Sequence, residues 1–321
     1  VQVTTETRPE ARGDLPVGDI DARAPRSRLS QARGDRRAYL FLLPWFAGFF
    51  GLTAGPTLAS LYLSFTNFDL VQSPRWIGAA NYVRIATSDV NFIAAMKVTF
   101  LYVALAVPLK LAFALAVAMA LNKGIKGLPL YRAIFYLPSL LGASVAIAVL
   151  WRTLFSGDGL VNKVLALVGI HGPSWISDPD YAIYTLVLLS VWQFGSPMII
   201  FLAGLRQIPR DVYEAASLEG ASKWRQFRRI TLPLLTPVVF FNAIVQTIDA
   251  FKAFTPAFII SEGTGGPVRA TLFYTLYLYL EAFAYFRMGY AAALAWILVI
   301  IIALFTAFSF LTARYWVHYD E

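Results

Sequence analysis

Six stretches of this chain are apolar and nearly free of charge: residues 38–65, 98–121, 133–151, 182–205, 231–260 and 290–312. Each is long enough to cross a hydrocarbon core of about 30 Å as a helix, which takes about 20 residues. The expected fold is therefore an all-α membrane protein with six transmembrane helices. A length of 321 residues would also accommodate two soluble domains, but 58% hydrophobic residues, 14% charged residues and a mean hydropathy of +0.60 exclude that class.

Six spans place both termini on one side, and the basic residues say which. Arg23, Arg26, Arg28, Arg33, Arg36 and Arg37 precede the first span; Lys123, Lys126 and Arg132 follow the second; Arg206, Arg210, Lys223, Arg225, Arg228 and Arg229 lie between the fourth and fifth. The alternate loops are longer and carry fewer. The positive-inside rule then assigns both termini and the loop after the fourth span to the cytoplasm. The same distribution explains the net charge of +8 as membrane orientation rather than a nucleic-acid surface.

Residues 1–37 are rich in Arg, Asp, Pro and Gly without apolar periodicity, and are expected to form a disordered, basic cytoplasmic tail, with the transmembrane domain covering 38–321. A polar stretch precedes the first apolar run, which is itself long enough to span, so that run is expected to stay in place rather than act as a cleaved leader. Within it Gly51 and Gly55 form a G-x-x-x-G pair that lets another backbone approach. Pro108, Pro197 and Pro237 are expected to interrupt helices and make the bundle irregular around an internal path. The outer loops, 67–97, 152–181 and 261–289, carry Trp76, Tyr82, Trp175 and aromatics from Phe273 to Phe286. They serve either to receive a partner protein or as an interfacial aromatic belt.

Ionisable groups inside a span are costly unless paired or hydrated, so those present are candidates for function. Lys110 falls within the second span. In the fifth, Asn242, Gln246 and Asp249 recur at helical spacing on one face, with Lys252 close to the same stripe. Two readings remain open: a water-filled substrate path lined by Lys110, Asn242, Gln246, Asp249 and Lys252, or a buried network in which Asp249 pairs with Lys110 or Lys252.

Between the fourth and fifth spans runs IPRDVYEAASLEGASKWRQFRRITLPLLTP, residues 208–237. Pro209 suits a first helical turn, and Asp211 and Glu214 place negative charge at the positive end of the helix dipole. Gly220 suits a left-handed helix end, and Ser222 suits the N-cap of a second helix carrying Trp224, Phe227 and Ile230. A first helix of roughly ten residues needs packing against something else to be stable, which marks the segment as a docking handle. A cationic face resting on lipid headgroups is the simpler alternative, but it would not need the Glu-Ala-Ala and Gly arrangement.

Glu214-Ala215-Ala216, Gly220, Ile230 and Leu232-Pro233 resemble the "EAA…G…I-LP" loop of inner-membrane subunits of bacterial binding-protein-dependent ABC importers. Trp76-Ile77-Gly78, Asn81-Tyr82, Phe135-Tyr136-Leu137-Pro138, Trp151, Leu154-Phe155, residues 201–205 and Gly265-Gly266-Pro267 look like the sugar-importing branch. The resemblance runs from about Tyr39 to the C-terminus, and within the branch it is strongest to the first permease subunits of alginate importers. It implies a cytoplasmic coupling helix between helices 4 and 5, with Asp211, Glu214, Ala215, Ala216, Gly220, Ile230, Leu232 and Pro233 forming the loop that enters a cleft of an ATPase subunit. It also implies a multi-pass protein of the bacterial inner membrane working with a second permease subunit as a heterodimer, two ATPase subunits and a periplasmic solute-binding protein. The implied substrate is an oligosaccharide, alginate or its fragments first, with malto-oligosaccharide or glycerol phosphate as alternatives.

The absences in the sequence agree with this division of labour. There is no G-x-x-x-x-G-K-[ST] motif to cradle a nucleotide, so ATP and Mg belong to the partner ATPase and no cofactor is expected on this chain. There are no cysteines, and His171 and His318 lie far apart, so neither a metal site nor a nucleophile-base site is expected and the chain is not an enzyme by itself. A different class of function, a self-sufficient secondary transporter using Lys110 and Asp249 as a proton relay, is the alternative the residues leave.

Overall fold

The structure, a computed structural model, describes residues 41–123, 127–142 and 144–318. The basic tail and Lys126 lie outside the described residues. The chain divides into two units, Val1–Thr57 and Leu58–Glu321. The described part of the first unit is helical, the start of α1, Phe41–Ser64, with a π-helical stretch Phe49–Ala54. Gly55 closes that stretch by donating its N–H to the Phe50 carbonyl, and a Cβ at Gly55 would stand 2.7 Å from the same oxygen. This half of the G-x-x-x-G pair thus has a local reason to be glycine.

In the second unit a two-stranded ribbon, β1 Thr66–Asn67 against β2 Arg75–Trp76, and the short helix α2, Ala80–Thr87, follow α1. Asn81 donates to the carbonyls of Ser64 and Thr66 at 2.9 and 3.0 Å, the Tyr82 hydroxyl donates to Ser64 Oγ at 2.7 Å, and Trp76 stacks on Phe65. The Trp76 and Asn81-Tyr82 motifs therefore hold this loop together.

The central element is α3, Val90–Leu121, which starts where the Asp89 side chain accepts the Phe92 N–H at 2.9 Å. At 1.5 Å per residue it is about 48 Å long, more than a bilayer core. It runs through Pro108 without a break, so that expected interruption is absent; neighbouring helices pack around it, the circumstance in which a membrane helix tolerates proline. Ala95, Thr99, Ala106, Ala114 and Ala118 form a fully buried face. Lipid tails are as apolar as leucine, so helices in a bilayer associate by close packing of such small residues rather than by burial of apolar area.

Two expected spans are each broken in two. α4, Leu128–Leu141, and α5, Val145–Leu154, meet at 94°; after the short helix α6, Leu160–Leu167, α7, Pro179–Trp192, and α8, Gly195–Gln207, meet at 44°. The breaks are pinned to each other. Ser139 Oγ donates to the Gln193 carbonyl at 3.0 Å and accepts the Ser196 N–H at 2.9 Å, while Gln193 Nε2 donates to the Gly142 carbonyl at 3.1 Å. Ser144 restarts α5 by accepting the Ile147 N–H. Pro197 sits in the first turn of α8, past the break, where a missing N–H costs little.

Next come α9, Arg210–Leu218, α10, Lys223–Gln226, a π turn Phe227–Thr231, α11, Leu232–Leu234, and α12, Thr236–Phe251, with Pro237 in its first turn. α13, Thr255–Ile260, α14, Tyr274–Tyr279, a π turn Leu280–Ala284 and α15, Met288–Ala313, complete the chain. Among the described residues four helical segments are long and apolar enough to cross a membrane, and each bent pair adds one more when it counts as a single span. Against α3 pack α7, α8, α12 and α14. The apolar contacts form two clusters along it: one includes Phe251, Tyr274 and Leu294 and reaches Val107, the other begins at Ala114 and includes Met198, Phe201 and Leu235. Lys110 lies between them.

Candidate functional site

The first candidate site is the handle. Pro209 is extended and stands just outside α9 as its N-cap, so the helix begins at Arg210, one place later than expected. Asp211, Glu214 and Ala215 are exposed and Ala216 is half-buried. Gly220 has φ +77° and open space around it, and the Ala221 N–H donates to the Ala216 carbonyl at 2.9 Å. A side chain there would strain the left-handed backbone rather than collide. Ser222 then caps α10 by accepting the Arg225 N–H. Ile230 lies in the π turn, and Leu232 and Pro233 in α11, toward the membrane-spanning α12.

What joins the two arms of the handle was not among the expected residues. The Tyr213 hydroxyl shares a hydrogen bond with Thr231 Oγ1 at 2.9 Å, and Gln226 Nε2 donates to Ser217 Oγ at 2.9 Å and to the Ala221 carbonyl at 3.1 Å. Gln226 and Thr231 are buried in this small polar core. The one sequence signal was the helical spacing of Tyr213 and Ser217. On the outside, Leu218 is 91% and Trp224 68% exposed.

The second candidate site is a cavity of about 440 Å³ whose wall includes Lys110, Gln193, Gln246, Asp249, Lys252 and Phe254. Four of the five residues expected on the path come together here. The fifth, Asn242, is fully buried one turn before Gln246, outside the wall, with neither side-chain amide atom hydrogen-bonded. Asp249 pairs with Lys252 at 3.3 Å. No carboxylate among the described residues lies within 4.0 Å of Lys110. The wall therefore presents a lysine with no carboxylate within ion-pair distance among the described residues, beside the Asp249–Lys252 pair and two amides. Gln193 was missed, although a glutamine inside the apolar run 182–205 was a signal; it lines the cavity from the C-terminal end of α7, at the α7–α8 break.

The profile of the family described as "Binding-protein-dependent transport system inner membrane component" matches residues 110–317. Over 284 residues, 88% of this chain and 92% of the relative, the sequence is 51% identical to the probable ABC transporter permease protein YesP of Bacillus subtilis (strain 168). It is 33% identical over 286 residues, 87% of this chain and 95% of the relative, to the lactose transport system permease protein LacF of Rhizobium radiobacter. In fold it is similar to a chain of a bacterial alginate ABC transporter solved in complex with an alginate pentasaccharide-bound periplasmic protein. The TM-score is 0.77 at 21% identity, covering 89% of this chain and 97% of that one.

Proposed function

Since the chain belongs to the family of binding-protein-dependent transport system inner membrane components, we propose that it is one transmembrane subunit of an ATP-driven importer that carries an acidic oligosaccharide, alginate or its fragments first, into the cytoplasm. The observation that carries this reading is Lys110, half-buried in a membrane-spanning helix and lining a cavity, with no carboxylate among the described residues within 4.0 Å. A neutral sugar needs hydroxyl partners and aromatic faces, which Gln193, Gln246 and Phe254 supply; an acidic sugar also gains from fixed positive charge along its route. Asp249 would repel such a substrate if it stood alone, and its pairing with Lys252 removes that objection. A lactose permease among the relatives supports sugar as the substrate class, and the alginate transporter supports its acidic form.

In this reading the chain catalyses no chemistry. It pairs with a second permease subunit, receives sugar from a periplasmic binding protein, and is driven by two ATPase subunits that hold ATP and Mg. Their closure moves the handle as a rigid body and switches the cavity between outward and inward access. The test compares uptake of uronate and neutral oligosaccharides of equal length, Lys110→Met against wild type, in proteoliposomes of the assembled importer. Uronate uptake is expected to fall about tenfold or more, the value of one charge-assisted contact, with neutral uptake and assembly kept. Equal loss of both, or no loss, makes Lys110 a structural residue and leaves the acidic substrate unsupported.

A further inference from the structure

At the Asp89 end of α3, opposite the end that meets the handle, a second pocket of about 260 Å³ opens between the outer loops. Three arginines line it, Arg84 from α2, Arg269 from the loop before α14, and Arg287 at the start of α15, together with the carboxylates of Asp89 and Glu281. Three guanidiniums against two carboxylates leave an excess of one positive charge. The acidic groups are already engaged. Glu281 is buried and pairs with Arg287 at 3.1 Å; Asp89 accepts the hydroxyls of Tyr277 and Tyr290 on one oxygen and the Phe92 N–H on the other. Arg84 lies 4.9 Å above the Tyr290 ring. Among the described residues no carboxylate lies within 4.0 Å of Arg84 or of Arg269.

We propose that this pocket is a binding site for one uronate unit of the oligosaccharide, its carboxylate held by Arg84 and Arg269, on the outer side of the membrane ahead of the Lys110 cavity. Two guanidiniums facing one small space supply the planar donors that a carboxylate takes in pairs. The volume is below the roughly 300–1,000 Å³ of pockets for drug-sized ligands, so it admits about one sugar unit rather than a chain. Ser88 and Asn91 on the same wall offer partners for sugar hydroxyls, which favours a uronate over the bare carboxylate of a docking protein. The pocket also adjoins the route inward. α14 bears Tyr277 on the pocket side, while its Thr275 hydroxyl donates to the Ala253 carbonyl at 2.5 Å and its Tyr279 packs on Phe254, both in the wall of the large cavity. This proposal rests on the function proposed above for its sidedness and substrate class.

The test uses the assembled importer in proteoliposomes with its sugar-loaded binding protein, and a uronate tetrasaccharide as probe. Arg84→Gln/Arg269→Gln is expected to raise the half-saturating concentration of the uronate about tenfold at an unchanged maximal rate. Capture of the sugar-free binding protein should be unchanged, and Arg84→Lys/Arg269→Lys should recover part of the loss. Because Arg84 packs on Tyr290, Arg269→Gln alone, at an exposed loop position, provides a variant that leaves that packing intact and should show the same shift in smaller measure. Parallel loss of binding-protein capture overturns the proposal in favour of a protein-docking patch. Unchanged uronate kinetics in both variants overturns it outright, and if Lys110→Met still discriminates against uronate, the proposed function survives that failure. Loss of discrimination at Lys110 with the outer shift intact is the converse result, and an importer that takes no uronate overturns both.

Discussion

Asp89 shows how one side chain can fasten one end of a bundle. It caps α3, and its second oxygen accepts hydroxyls from residues 188 and 201 positions away, Tyr277 at 2.5 Å and Tyr290. Partial burial by itself would raise the carboxyl pKa; the hydrogen bonds from Tyr277 and Tyr290 and the backbone N–H groups of Phe92 and Asn91 outweigh it, and the net shift is downward. Burial and the bond to Asp89 push the Tyr277 hydroxyl up, so it stays protonated as the donor. Because the folded pKa of Asp89 is below the unfolded value of about 3.9, its stabilisation is complete above that pH and is lost as the pH falls through the lower, folded value. Thermal unfolding of the detergent-solubilised protein should therefore show wild type above Asp89→Asn near neutral pH, with the gap closing on the acid side; a gap that ignores pH would mean the charge contributes nothing. None of this was legible in the sequence, since a contact across such separations leaves no local pattern. Lys110 was legible because a charge inside an apolar run is a local anomaly. For Asp249 the sequence left two readings open, a substrate path and a pairing with Lys110 or Lys252, and in the structure it lies against Lys252, one turn along the same helix.

Among the elements, the handle was the most legible, because caps and turns are short-range devices: Gly220 and Ser222 sit where a left-handed turn and an N-cap require them. Its stiffness was not, since Tyr213–Thr231 and Gln226–Ser217 join residues on different helices. Each bond contributes about 1 kcal/mol, so the loss of one shifts the balance between a stiff and a loosened handle about fivefold. In the proposed importer the double variant Tyr213→Phe/Gln226→Met should still bind the ATPase subunit through the exposed face bearing Glu214, Leu218 and Trp224, with severalfold more ATP hydrolysed for each sugar taken up. The ratio of uptake to hydrolysis in proteoliposomes measures this, and an unchanged ratio would show that the internal hydrogen bonds do not transmit force. An interruption near Pro197 was expected and falls just before it, whereas the break within 133–151 escaped the sequence for the opposite reason. Mean hydropathy over 133–151 and 182–205 is indifferent to a bend, and the bonds that fix the bends run between Ser139 and Gln193, from one broken span to the other.

On the scale of the whole molecule, the apolar runs give the number of candidate spans and the basic residues predict their direction, yet the 94° bend between α4 and α5 bears on both. If that pair turns back within the membrane instead of crossing it, every loop after it changes side until a further reversal. The chain has no cysteine, so single introduced cysteines report topology without background. Ser73→Cys lies between β1 and β2, Asp158→Cys between α5 and α6, and Glu219→Cys at the end of α9, all at exposed positions. With each bent pair counted as one crossing, Ser73→Cys and Asp158→Cys should react with a membrane-impermeant maleimide on intact cells, and Glu219→Cys only after permeabilisation. α3 alone separates residue 73 from the α4–α5 pair, so Asp158→Cys is the decisive position: reactive from outside it makes the pair a span, protected until permeabilisation it makes the pair a re-entrant loop. Ser73 and Glu219 do not settle the α4–α5 pair by themselves, because no reversal and reversal at both bent pairs each leave an odd number of crossings between them, while an even number does not say which pair turned back. They decide the direction instead. Labelling of Glu219→Cys from outside and Ser73→Cys only from inside would invert the orientation read from the arginines and lysines, place the handle away from cytoplasmic ATP, and remove the arginine pocket from the side on which sugar arrives.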